Sequence, residues 1–226
     1  MTANDAMDDT GVRRKRSEQI VGYLVRAILS GELSAGDRID IDAVARGFDV
    51  SRIPVREALL VLEHEGLTTN RYHRSVRVAH LDDLAIREHF ELYGLLGGVA
   101  RRRMVERGDL ERPLEQLAAT LDALERTDPV DVDRIELLAR EFLAVIHQCG
   151  GGPRLRSMLA SFRHVLPYAY GLIRPTADAR IVETFRHDLA ALEARDGDRA
   201  AALVQSHMSD LADRVITAMR AARVLD

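Results

Sequence analysis

Apolar positions recur with two different rhythms along the chain, and the rhythm changes near residue 80. Ile20, Leu24, Ala27 and Ile28 fall at helical spacing and predict a helix over 15–30, closed by Gly31. A short helix is expected near 41–46 and a third over 51–65, with Ser51 as its N-cap and Gly66 as its stop. Pro54 falls in the first turn of that third helix, where amide hydrogens have no intrahelical partner, so it costs little. Residues 68–79, with Thr68, Thr69, Val76 and Val78, alternate as a strand hairpin does. Beyond residue 80 only helical stripes follow, near 82–107, 110–126, 131–149, 153–173, 177–195 and 198–222. Gly, Pro and Asp punctuation at 108–109, 127–129, 150–153, 174–175 and 196–197 separates them.

Short links between amphipathic helices imply an antiparallel bundle. The predicted fold class is therefore mainly α: an N-terminal winged helix-turn-helix and a C-terminal antiparallel all-helical bundle. Three regions are expected. These are a disordered acidic tail over 1–12, a winged-helix domain over 13–80, and an all-helical domain over 81–226.

Composition first argues against nucleic acid as a partner, because 32 basic side chains face 36 acidic ones for a net charge of −4. Division by region reverses that impression. Residues 11–80 hold 12 bases against 9 acids, whereas Asp5, Asp8 and Asp9 stand unopposed in the first ten residues. Local charge, not the total, sets the field near a binding surface. Cys149 is the single cysteine, which excludes an intrachain disulfide framework. Without a secretory leader or a long apolar run, the expected location is cytoplasmic, with no membrane partner.

The third helix carries the candidate chemistry. Pro54, Val55, Ala58, Leu59, Val61 and Leu62 share an inward face, and Arg52, Ile53, Arg56 and Glu57 lie outward near its start. A helix-turn-helix presents its reading side chains there. Arginine can make bidentate bonds to guanine edges or to phosphate. Ser51 and the helix N-terminus suit a phosphate. The hairpin follows with Arg71, His73 and Arg74 at or near its tip. With Arg38 from the preceding turn, the expected DNA-binding set is Arg38, Ser51, Arg52, Ile53, Arg56, Arg71, His73 and Arg74.

Residues 51–67, SRIPVREALLVLEHEGL, resemble the S-R-x-P-V-R-E-A-L…L…E-G-L pattern of the GntR family of bacterial transcription regulators. Residues 30–39, SGELSAGDRI, are similar to its G-x-x-x-P-G-x-x-L element, with Ala35 where proline is usual. The wing departs from the family, reading His73, Arg74 and Ser75 where an Arg-Gly pair is usual. The all-helical remainder resembles the FadR subgroup and its FCD ligand-binding domain, through residues 86–100, 142–153 and 192–208.

That resemblance implies a ligand-responsive regulator, not an enzyme, binding operator DNA as a homodimer and released as a repressor by a carboxylic-acid or acyl-type effector. The alternative is a constitutive DNA-binding dimer whose effector site has been lost. Many FCD domains hold a divalent metal on one aspartate and three histidines. By position, His147 and His207 match the first and last histidine, but Leu143 stands for the aspartate and Phe185 for the middle histidine. Tyr93 stands where an effector-binding arginine is common, and Gly97 where a glutamate follows. The implied effector site is Tyr93, Leu143, His147, Phe185 and His207. Only His147 and His207 remain as metal ligands, too few for Zn²⁺, so a divalent metal is disfavoured and no cofactor is required. The four changes remove charge and suggest an apolar pocket. Gly94, Gly97 and Gly98 within one helix imply either a very close helix neighbour or an opening toward the core. His147 and Cys149, two residues apart on one helix, point to different faces and do not form a nucleophile–base pair.

Overall fold

The computed structural model describes residues 3–71, 75–162, 164–173 and 177–225, with side chains from Arg16 onward except at 70, 71, 171 and 177–179. The chain forms two compact units, one of Met1–Asp82 with Met219–Asp226 and one of Asp83–Ala218.

In the first unit, α1 spans Ala3–Leu29, α2 spans Ile41–Gly47 and α3 spans Arg52–His64. Helix α1 begins well before the Lys15 start read from the pattern, so the stretch expected as a disordered tail is drawn as helical backbone. Ala and Met are residue types that favour a helix. Ile20, Leu24, Val25, Ala27 and Ile28 are at most 1% exposed. They meet the buried face of α3, formed by Pro54, Val55, Ala58, Leu59 and Leu62. Val61, expected on that face, is half-buried.

Strands β1 (Thr68–Arg71) and β2 (Ser75–Val78) pair antiparallel, Thr68 opposite Val78. The stretch before α2 adds to this sheet. Ile39 donates its amide to the Val76 carbonyl and Gly36 to that of Val78. The Arg77 guanidinium donates to the Gly36 carbonyl at 2.7 Å, which ties the wing to the turn. The last eight residues were expected in the bundle domain; they belong instead to this unit, with Leu225 buried.

The second unit is helical throughout its described residues: α4 (Asp83–Glu106), α5 (Glu111–Glu125), α6 (Val132–Gly150), α7 (Pro153–Ala160), α8 (Val165–Leu172), α9 (Ala177–Glu193) and α10 (Gly197–Ala221). The expected single helix over 153–173 is two. Pro167 supplies the reason: in an unbroken helix its ring would collide with the carbonyl four residues earlier and remove a hydrogen bond. With the chain restarted at Val165, Pro167 sits in a first turn and costs nothing.

Gly94 and Gly98 of α4 serve close approach rather than an opening, and Gly97 makes room for the Arg101 guanidinium of its own helix. A Cβ at Gly94 would lie 3.2 Å from the Gln205 Cα, and one at Gly98 would lie 3.1 Å from the Ala201 Cβ. Helix α4 therefore lies almost backbone to backbone on α10, and the exposed pairs Arg87–Asp213 and Arg102–Asp198 flank the seam. Gly150 ends α6 directly against α4, where a Cβ would overlap the Ala100 carbonyl.

Candidate DNA-reading face and effector cavity

Two caps set the geometry of the first site. Asp40 caps α2 by accepting from the amides of Asp42 and Ala43 at 2.9 and 3.0 Å. Those bonds hold its carboxyl below the usual range. Ser51 caps α3 through the amide of Ile53 at 3.4 Å. The first turn of α3 then stands clear of the unit, with Ser51, Arg52, Ile53 and Arg56 all exposed and Ile53 at 55%. An isoleucine that open, between two arginines, suits contact with a thymine methyl rather than core packing.

Arg52 carries a feature that the sequence did not show. Its guanidinium grips Asp42 of α2, with Nη2 to Oδ2 at 2.9 Å and Nε to Oδ1 at 2.5 Å. An exposed pair of this kind contributes little stability. It does hold the arginine against the preceding helix, so a phosphate or base edge has to compete with Asp42. Arg38 is exposed and bridges Arg77 across the sheet edge. Arg71 is the last residue of β1; its side chain, and His73 and Arg74, lie outside the described residues.

The second site is a cavity of about 370 Å³ inside the second unit. Tyr93, Leu143, His147, Phe185 and His207, from α4, α6, α9 and α10, all line it. Its walls are mostly apolar. Phe142 and Phe185 stack with ring centres 4.2 Å apart, and Leu143 fills the place that the resemblance gives to an aspartate.

Hydrogen bonding fixes the tautomer of His207. The Thr184 hydroxyl donates its one proton to the Arg180 carbonyl at 2.8 Å. Its oxygen, 3.2 Å from His207 Nδ1, is left to accept from an Nδ1–H. His207 Nε2 is then a bare lone pair and accepts the Tyr170 hydroxyl at 2.6 Å. The nitrogen that would ligate a metal is thus already engaged. His147 differs, because its Nε2 is buried without a hydrogen-bond partner. Among the described residues no group of three His, Cys, Asp or Glu is placed to hold a metal ion. With Leu143 and Phe185 in the cavity, the residues present do not fit the metal centre of related domains.

Arg101 and Asp188 also line the cavity, and the sequence reading missed both. They are 2% and 3% exposed and form a bidentate pair, with Nε to Oδ1 at 2.8 Å and Nη2 to Oδ2 at 2.5 Å. Arg101 Nη1 donates further to the Gly97 carbonyl at 3.1 Å. A signal existed. Arg101 falls in the buried register Phe90, Tyr93, Gly97, Met104 of α4, and Asp188 in the register Ile181, Phe185, Leu192 of α9.

Burial pushes His89, His147 and His207 down to about 4. For His147, Arg101 adds to the effect. For His207, Arg101 and Arg214 act the same way, and Asp210 and Asp188 oppose them. Each imidazole is neutral when folded but takes a proton near pH 6.5 when unfolded. Between about pH 6.5 and 4 the unfolded chain therefore binds more protons, so stability falls as pH falls through that window. Melting temperature is expected to drop steadily from pH 6.5 to 4.5. Replacing His89 and His147 together with Phe should flatten that slope, and an unchanged slope would show that other groups set it.

A winged helix with an exposed arginine-bearing helix end, in one chain with a helical bundle enclosing a cavity, defines a DNA-binding transcription regulator. Residues 16–78 match the model of the bacterial regulatory proteins of the gntR family, and residues 88–210 match the FCD domain. The chain belongs to the GntR-type regulators that carry an FCD domain. An uncharacterized HTH-type transcriptional regulator of Mycobacterium tuberculosis is 28% identical to it over 213 residues, covering 93% of this chain and 85% of that protein. Escherichia coli McbR/YncC shares the fold at TM-score 0.62 and 21% identity, over 87% of this chain and 96% of that one. A GntR family regulator from Pseudomonas syringae pv. tomato does so at TM-score 0.56 and 22% identity, over 99% and 98%. Among the described residues no helix is long and apolar enough to cross a membrane.

Proposed function

We propose that this regulator is a cytoplasmic, homodimeric repressor of the FadR subgroup, released from its operator when a metabolite occupies the helical unit. The cavity carries this reading. It joins five separately placed residues on four helices, at about 370 Å³, within the range of roughly 300–1,000 Å³ that suits small molecules. A constitutive DNA-binding protein would have no need to keep such a space, since an unfilled core cavity costs stability. Arg38, Ser51, Arg52, Ile53 and Arg56 read the operator, with Arg71, His73 and Arg74 of the wing. Two-fold pairing sets two such faces on successive major grooves, so the operator is a short palindrome.

The test starts from a duplex selected out of a random-sequence pool by the purified full chain. A metabolite collection is then screened by thermal shift, and each stabilising compound is added to the protein–DNA complex. Ligand-driven release is expected. A complete absence of stabilising compounds would favour the constitutive dimer.

The dimer has a candidate surface. Leu84, Leu92 and Leu95 of α4 are 64%, 52% and 46% exposed, and Leu92 lies opposite the buried glycines of the helix. Replacing Leu92 and Leu95 together with Glu should yield a folded monomer in sedimentation, with operator affinity reduced by at least about a hundredfold because each half-site then binds alone. A dimer that survives this change would place the interface elsewhere.

A further inference from the structure

We propose that the effector of this cavity is an uncharged, largely apolar molecule carrying a hydroxyl group, a phenol or an alcohol, and not a metal-held carboxylate. The inference rests on the effector reading above and concerns what that site accepts. Every charge on the cavity wall is already answered within the chain. The Arg101 guanidinium is spent on Asp188 in a bidentate pair, and Arg140 near Glu136 forms a second pair. Tyr170 and Thr184 already occupy both ring nitrogens of His207. A carboxylate buried in this space would meet no unpaired buried cation, because Arg101 already faces Asp188 and Arg140, 64% exposed, keeps its charge in solvent. Burying such a charge unpaired is costly. Nor does a metal offset it, since Leu143 and Phe185 supply no ligand atoms and the His207 lone pair is held by Tyr170.

One polar demand remains. His147 lines the cavity, and its Nε2 is buried without a partner, whereas Arg101, Asp188, Tyr170, Thr184 and His207 of the same lining are already bonded to one another or to the backbone. A buried polar atom without a partner is costly, and a ligand that supplies one recovers that cost. A hydroxyl both donates and accepts, so it satisfies either tautomer of the imidazole. A carboxylate only accepts.

Calorimetric titration of the full chain at pH 7.5 tests this with a matched pair, 4-pentylphenol and 4-pentylbenzoate, each with and without Zn²⁺. The phenol is expected to bind at least tenfold more tightly, and Zn²⁺ should not close the gap. His147→Phe should weaken the phenol about tenfold and leave the benzoate unchanged. Equal or tighter binding of the benzoate, or stoichiometric Zn²⁺ uptake that recruits it, overturns the proposal while the effector reading stands. Ala144→Trp, which fills the cavity from α6, separates the two readings, with Ala139→Phe as a milder filler if the first does not fold. If neither compound binds, or if filling leaves binding intact, the effector reading itself fails and the proposal with it.

Discussion

Arg56→Ala should all but abolish operator binding while leaving the helical unit folded and the oligomeric state unchanged. The side chain is exposed one turn into α3, on the face opposite the buried Pro54, Val55, Ala58, Leu59 and Leu62. Among the described residues no hydrogen bond or core contact of α3 depends on it, so truncation is expected to touch recognition and not the fold. A bidentate arginine–guanine contact is worth about 1–3 kcal/mol of discrimination. The proposed two-fold dimer would lose it twice, about 2–6 kcal/mol, which is roughly thirtyfold to twenty-five-thousandfold in affinity. Fluorescence anisotropy on the selected duplex measures it. Two signatures separate base reading from phosphate contact. Loss of a base contact relaxes sequence preference at one position in each half-site. Loss of a phosphate contact weakens all sequences alike and lowers the salt slope by about one per contact.

Arg52→Ala should be the weaker of the two, because Asp42 already holds that guanidinium in the free protein. Part of what DNA gains from Arg52 is offset by the lost Asp42 pair. An Arg56→Ala protein that still binds the selected duplex tightly would show that α3 is not the reading helix.

These contrasts bear on what could be read from residues alone. The inward face of α3 was legible because Pro54, Val55, Ala58 and Leu62 repeat at helical spacing, and burial follows that repeat with only Val61 left half-covered. The five cavity residues were reached through motif positions, and the bundle brings all five to the lining of one cavity. Contacts that depend on how elements are set against one another were not legible. Arg52 meets Asp42 only because the turn between α2 and α3 aims one helix start at the other. Arg101 meets Asp188 across 87 residues, although each sits in an apolar register where an ionisable side chain calls for a partner. The break after α7 was legible and passed over, since Pro167 forbids a continuous helix there whatever the apolar stripe suggests. The start of α1 went unread because the stripe begins only near Ile20, and a helix ahead of its apolar stripe leaves no periodic trace.

Removing either member of the Arg101–Asp188 pair should be the most damaging single change in the second unit. Both side chains are almost wholly buried, and they join α4 to α9 at the cavity wall. Arg101→Ala strands a carboxylate among apolar side chains, and Asp188→Ala strands a guanidinium with only the Gly97 carbonyl to meet it. Breaking a buried ion pair on one side typically costs about 3–5 kcal/mol. A domain has only about 5–15 kcal/mol in all, so either variant should unfold at markedly lower urea concentration. Replacing both residues with apolar side chains of similar size, Arg101→Met with Asp188→Leu, removes the attraction together with the desolvation penalty. Such replacements are often neutral or stabilising. The double variant should therefore recover most of what either single variant loses. That non-additivity distinguishes a buried charge pair from two independent packing contacts, whose losses would sum. If the double variant is less stable than both single ones, the two side chains act through packing and the wall charges are not mutually compensated. In that case the basis for an uncharged effector would fall as well.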